Sequence, residues 1–279
     1  MAKTQNTRTI VGSPLTPALL RELGVFDEFP PTPKEFDPNA NWVNMYRIWA
    51  CHGFRRSGNQ NVGFLRISRT VAKPDEPFTL RLRREVVQVD GLVSTVEAEI
   101  KCLNNDLTSP VKWRLQSHFL DPNRQNLDDL GTDERAVVDD NIIEVRTRGA
   151  RKFRRQVGRR FTSNWCLLEA LQRLPFEENA IASFDMLEGL TLLKPNQRLS
   201  YRGAYPTKAR ATELSLHRFD QLGDGILPYE YWLDENHRLL AVISHNKAYI
   251  LDEQAESITA QIADQLRSSY HRRTKAQSK

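Results

Sequence analysis

The sequence predicts an α+β protein that is mainly antiparallel β, a curved sheet wrapped around a short helical pair with a C-terminal helix. Three observations predict it. From Asn44 to Cys102 large apolar and polar residues alternate with the period of a strand that is dry on one face and wet on the other. The pair Asp90-Gly91 stands between two such runs, where a tight hairpin turn needs residues tolerant of positive φ. Helical spacing, in contrast, is confined to residues 162–193 and 254–271.

Taken in order, residues 1–40 form an N-terminal extension and linker. Thr16 and Pro17 suit a helix start and Gly24 its end, and Phe29-Pro30-Pro31-Thr32-Pro33 forbids regular hydrogen bonding. A single antiparallel domain then spans 41–253. Met45–Phe54 and Asn61–Thr70 form a hairpin about Arg55–Asn59, and Phe78–Cys102 forms a second about Asp90-Gly91. In its first arm Thr79, Arg81 and Arg83 face water. Val111–Phe119 continues the sheet, and Glu134–Arg148 makes a further hairpin turning at Asp139-Asp140-Asn141. A helical insert occupies 162–193. Its first helix carries Trp165, Leu168, Leu171 and Leu174 on one face after the caps Thr162 and Ser163, and its second carries Phe184, Leu187 and Leu190. Five short strands follow over 196–252, then a helix with Ile258, Ile262 and Leu266, and a basic tail to residue 279.

Composition bounds the chain further. Its 279 residues are 39% hydrophobic and 27% charged, which excludes a disordered polymer and leaves enough apolar surface for a core without staples. The longest apolar runs, such as Leu239–Ile243, are strand-sized, far below the ~20 residues of a membrane-spanning helix. The N-terminus lacks the apolar stretch of a secretory signal as written. The chain as given therefore fits the cytoplasm, and an extracytoplasmic site if an export signal has been removed. Cys51, Cys102 and Cys166 form no CxxC and read as small buried hydrophobes; export would allow a Cys51–Cys102 disulfide.

No nucleotide-binding glycine loop, nucleophile elbow or HExxH occurs, and the six histidines are scattered, so the sequence implies no cofactor, no metal and no catalytic residue. Three functional readings follow from what is present, a non-catalytic binding module for a hydrophobic ligand leading and the other two standing as alternatives. Trp49, Trp113, Trp165, Leu168, Phe184 and Trp232 are candidates to line an apolar site between sheet and helices, holding a hydrophobic small molecule or a protein segment. The run from Arg146 to Arg160, with Arg148, Arg151, Lys152, Arg154, Arg155, Arg159 and Arg160, is a candidate surface for a polyanion or nucleic acid. An acidic cluster over 121–144 precedes it and is placed to neutralise it. Asp220, Asp224, Glu230 and Asp234 would suit hydrolysis if two of them met in a cleft; their turn composition favours a structural role.

Two stretches resemble a known pattern. Asn61-Val62-Gly63-Phe64-Leu65 opens the sheet, and Tyr231-Trp232-Leu233-Asp234-Glu235-Asn236-His237-Arg238-Leu239-Leu240 closes on Ala248-Tyr249-Ile250-Leu251-Asp252. The layout resembles uncharacterised bacterial families related to the lipoprotein-carrier-like half-barrel. The resemblance implies a curved antiparallel sheet around short helices, with a concave apolar surface for a lipid-like group or a partner segment. Those families usually carry export signals, absent here, and the basic run is foreign to their pattern.

Overall fold

In the computed structural model the described residues are 36–50, 60–73, 76–88, 91–127, 130–149, 152–177, 181–209 and 212–277. The 1–35 extension, Cys51, the Arg55–Asn59 turn, Asp90 and Arg151 lie outside them. Among the described residues fifteen strands form one sheet. In chain order they are β1 Trp42–Ala50, β2 Gln60–Thr70, β3 Phe78–Val87, β4 Val93–Cys102, β5 Pro110–Leu120, β6 Thr132–Asp139, β7 Ile142–Thr147, β8 Phe153–Gln156, β9 Phe161–Ser163, β10 Ile181–Glu188, β11 Leu192–Ala209, β12 Thr212–Leu222, β13 Tyr229–Leu233, β14 Leu239–Ser244 and β15 Lys247–Leu251.

Sheet order explains the curl. β1 to β8 run outward in sequence order from one side of β1, and β15 back to β9 run outward from the other. The two edge strands, β8 and β9, are therefore consecutive in the chain and joined by residues 157–160. So short a link holds both edges of a fifteen-stranded sheet near each other, and the sheet must roll into an open, barrel-like form. The link prolongs the ladder on each side: the Val157 amide donates to the Asn141 carbonyl beside the β7–β8 pair, and the Asp185 amide donates to the Arg160 carbonyl beside the β9–β10 pair, each at 2.9 Å. Across the seam itself, Arg155 of β8 donates to the Thr191 carbonyl of the β10–β11 turn. All strand pairs are antiparallel except β9 with β10.

Alternation puts Leu65, Ile67, Leu80, Leu82, Ile100, Trp113 and Leu115 inside, all buried, while Arg81 and Arg83 point to water as expected. Thr79, expected to be wet, is buried. Asp140 and Asn141 make the predicted β6–β7 turn with φ of 43° and 61°, the left-handed region a tight hairpin demands.

Helix α1, Asn164–Ala170, continued by a 3-10 turn Leu171–Arg173, is enclosed at one end of the rolled sheet, where its partners Asn44, Arg69, Cys102 and Leu239 lie at strand ends. Ser163 caps it, its side chain accepting from the Cys166 amide. Trp165 through Leu171 are all buried, as expected for a helix that is apolar nearly all round and walled on every side. Its two internal polar residues are satisfied. Gln172 accepts from Asn44 and from the Leu239 amide, each at 3.1 Å. Glu169 accepts from Arg69 at 2.9 Å, from Arg173 at 2.8 Å and from Thr108.

The expected second helix is not there. Residues 181–193 form β10, a turn and the start of β11, with Met186 opposite Lys194 and Glu188 opposite Leu192. The Phe184, Leu187, Leu190 spacing fits a helix, but Phe184 and Met186 also fit a strand, and β11 offers a ladder to pair with. Gly189 and Leu190, at φ of 60° and 64°, then reverse the chain. The insert thus reduces to one plug helix.

The terminal helix is present as α2, Ala255–Gln277. It lies on the outer face of β1 to β3, where Phe64 is buried and Val87 and Val93 pack against Ala263. Gly63 allows the close strand approach beneath it, since a Cβ there would strike the Glu85 carbonyl. No described helix is long and apolar enough to cross a membrane.

Candidate anion-binding groove

Outward-facing positions of β3 to β7 line an open groove of about 900 Å³. Seven cations stand along it: Arg81, Arg83, Lys101, Lys112, Arg114, Arg135 and Arg146, with Glu97, Glu99 and Glu144 among them. Strand register sets the arrangement. One row across the sheet reads Arg81, Glu99, Arg114, Arg135, Arg146, each opposite the next. In the adjacent row Lys101 stands opposite Lys112. Like charges directly opposite are unfavourable, so these rows carry a repulsion that a bound anion relieves.

The acids present neutralise only part of this charge. Arg81 pairs with Glu99 at 2.9 Å, and Arg114 with Asp133 at 3.1 Å. The Arg114 hydrogen bonds hold the Asp133 carboxyl below the usual carboxylate range. Arg83 reaches Glu85, Glu97 and, at the rim, Glu256 of α2 at 3.1 Å. Glu144 collects Lys152, Arg146 at 3.0 Å and Arg154 at 3.5 Å. Hydrogen bonds from Lys152 and then Arg146 lower its pKa to about 2. Lys101, Lys112 and Arg135 are exposed and form no ion pair among the described residues. Exposed pairs of this kind contribute little to stability, so a multivalent anion can displace them.

The basic run meets this groove at one end. Arg146 lines it, and Lys152 and Arg154 approach its Glu144 wall. Arg148 and Arg159 are exposed, Arg155 is tied to the seam, and Arg160 pairs with Asp106 at 2.6 Å. The run is therefore divided between groove wall and barrel closure. The larger part of the cationic surface comes from Arg81, Arg83, Lys101, Lys112, Arg114 and Arg135. These stand at alternate strand positions in TLRLRR, EIKC, VKWRL and ERAV, so their outward direction is readable from sequence; their convergence depends on register.

The aromatic candidates take internal positions. Trp113, Trp165, Leu168, Phe184 and Trp232 are buried, and Trp49 is half-buried against the core. Trp113 donates to Glu134 at 3.3 Å, and burial pushes the Glu134 carboxyl up. Of the four carboxylates, two meet. Asp220 lies opposite Glu230, and Arg218 bridges them at 2.6 and 3.0 Å. Burial raises the Glu230 carboxyl, Arg218 opposing it. Asp224 accepts from Asn196 at 2.8 Å, and Asp234 accepts the Asn236 and Arg238 amides in its turn, each at 2.9 Å.

No family model and no curated protein matches the chain. Among solved structures it is similar to a β-barrel-like protein of domain of unknown function DUF1849 from Brucella abortus. The TM-score is 0.51 and the identity 9%, covering 76% of this chain and 96% of that one. The likeness extends to the fold: a mainly antiparallel, barrel-like architecture.

Proposed function

We propose that the protein is a non-catalytic binding module that holds a linear polyanion in the groove over β3 to β7. The observation that carries this reading is the register: it places Arg114, Arg135 and Arg146 in one row and Lys101 against Lys112 in the next. Exposed aromatic rings are absent from the groove lining among the described residues, Trp113 being turned inward. Stacking is the usual means of gripping unpaired bases, so the ligand is held by its charged backbone rather than by bases.

The test uses a fluorescein-labelled single-stranded oligodeoxynucleotide and an abasic oligomer of equal length as polyphosphodiester probes. Both bind in the micromolar range at ~50 mM salt, with equal affinity. The triple variant Lys101→Thr, Lys112→Thr, Arg135→Thr weakens binding about 100-fold. A control with the same loss of charge at exposed sites elsewhere, Lys73→Thr, Arg198→Thr, Arg272→Thr, changes it by less than about threefold. Equal losses in both variants would reduce the effect to net charge and remove the groove.

A second reading keeps the lipoprotein-carrier likeness and a hydrophobic ligand in the sheet concavity. The curled sheet around a buried apolar helix supports it. Since α1 occupies that concavity, an apolar ligand would enter only as α1 left, and the polar contacts of Glu169 and Gln172 oppose its leaving.

A further inference from the structure

The plug and the barrel wall meet at two sulfur atoms. Cys166 on α1 and Cys102 at the end of β4 are both fully buried, with Sγ atoms 3.8 Å apart. The sequence offered Cys102 a different partner, Cys51; the fold turns it toward Cys166.

Neighbouring contacts fix this approach from both sides. The loop between β4 and β5 grips the strand that precedes α1: Ser109 Oγ donates to the Phe161 carbonyl at 2.7 Å, and Thr162 Oγ1 donates to the Leu107 carbonyl at 2.6 Å. The Ser163 cap then sets the first turn of α1, which carries Cys166. On the wall, the β4–β5 register shifts at Lys101/Cys102, a bulge that re-aims the strand end. A disulfide needs ~2.05 Å between sulfurs, so ~2 Å of closure is left to side-chain rotation and a small helix shift.

We propose that Cys102 and Cys166 are a dithiol–disulfide site that, when oxidised, locks the plug helix to the barrel wall. The oxidant is a small disulfide such as oxidised glutathione. The thiolate of one cysteine attacks it, forming a mixed disulfide and releasing one glutathione thiol. The other cysteine then attacks the mixed disulfide, forming the Cys102–Cys166 bond and releasing the second thiol. Two electrons and two protons leave the protein, and one reagent disulfide becomes two thiols. Inside the folded barrel the reagent has no path to the pair, and burial, with the neighbouring Cys166, keeps the Cys102 thiol protonated and a poor nucleophile. Oxidation therefore belongs to folding, or to moments when α1 has left its seat.

The experiment is refolding of the full chain from denaturant with oxidised or with reduced glutathione, followed by intact mass, non-reducing peptide mapping and thermal melting. The expected product after oxidative refolding is lighter by two hydrogens, carries a Cys102–Cys166 link and melts roughly 10 °C higher than the reduced form. Cys166→Ala loses the link and the increment. Already folded, reduced protein exposed to the same reagent oxidises far more slowly than refolding chains. Both thiols still alkylatable after the native fold is regained, or a link from Cys51 to either residue, would overturn the assignment. If Cys166→Ala does not fold, the peptide map and mass of the wild-type chain decide alone.

Discussion

Charge inside the barrel and charge outside it are handled in opposite ways. Within the lumen Arg69, Glu169 and Arg173 form a closed set. Arg69 also donates to the Asn39 and Ala40 carbonyls, and Arg173 to the Asn105 carbonyl and Thr108. Each buried charge has fixed partners, as the cost of desolvating an ion demands. On the outer face of β4 to β6, Lys101, Lys112 and Arg135 face water beside like charges. A saturated network fixes architecture; an unsaturated row is available to a ligand. The contrast separates residues that build the molecule from residues proposed to bind.

The largest effect expected from breaking this contrast is inside. Glu169→Gln leaves Arg69 buried and Arg173 half-buried beside a neutral amide and lowers stability by about 3–5 kcal/mol, measured by urea unfolding. The refolded fraction retains its affinity for the oligomer, because no groove residue is touched. An intermediate effect is expected at the groove wall. Glu144→Gln releases Lys152, Arg146 and Arg154 toward the groove and tightens oligomer binding several-fold, with little change in melting temperature. A weaker complex would show instead that Glu144 orients those cations for the ligand.

The smallest effect concerns pH. Phe176 is sandwiched between His217 and His237, with ring centroids 3.7 and 4.0 Å apart. Burial lowers both histidine pKa values, and Glu235 partly opposes this at His217. The unfolded chain therefore takes up protons at about pH 6.5, before the folded one. The stability contributed by these neutral rings is present above that pH and lost as pH falls through it toward the folded values. A modest drop in melting temperature between pH 7.5 and pH 5.5 is expected, and His217→Phe reduces it. A melting temperature that rises over the same interval would contradict the assignment.

Much of the fold was legible because alternation is a local property. Leu80 and Leu82 against Arg81 and Arg83 set a strand's dry and wet faces without knowledge of its neighbours, and Trp165, Leu168, Leu171 and Leu174 marked one apolar face of α1, though not its burial on every side. Residues 181–193 misled because their apolar spacing suits two periods, and only the ladder to β11 decides between them. The groove was half legible. The contiguous Arg146–Arg160 run stands out as a charge cluster, whereas Lys101, Lys112, Arg114 and Arg135 are dispersed over three strands that register alone brings together. The Cys102–Cys166 approach was illegible for the same reason, since it depends on a helix from beyond the seam returning to the β4 wall.

The most direct test of the groove is the slope of log affinity against log salt for the abasic oligomer, measured on the wild-type chain and on the Lys101, Lys112, Arg135 triple variant. Each cation that engages a phosphate of a single-stranded polymer adds about 0.7 to the slope, so the wild type is expected to be steeper by about two. Parallel lines for the two proteins would mean that these three side chains touch no ligand, and the groove would lose its proposed role.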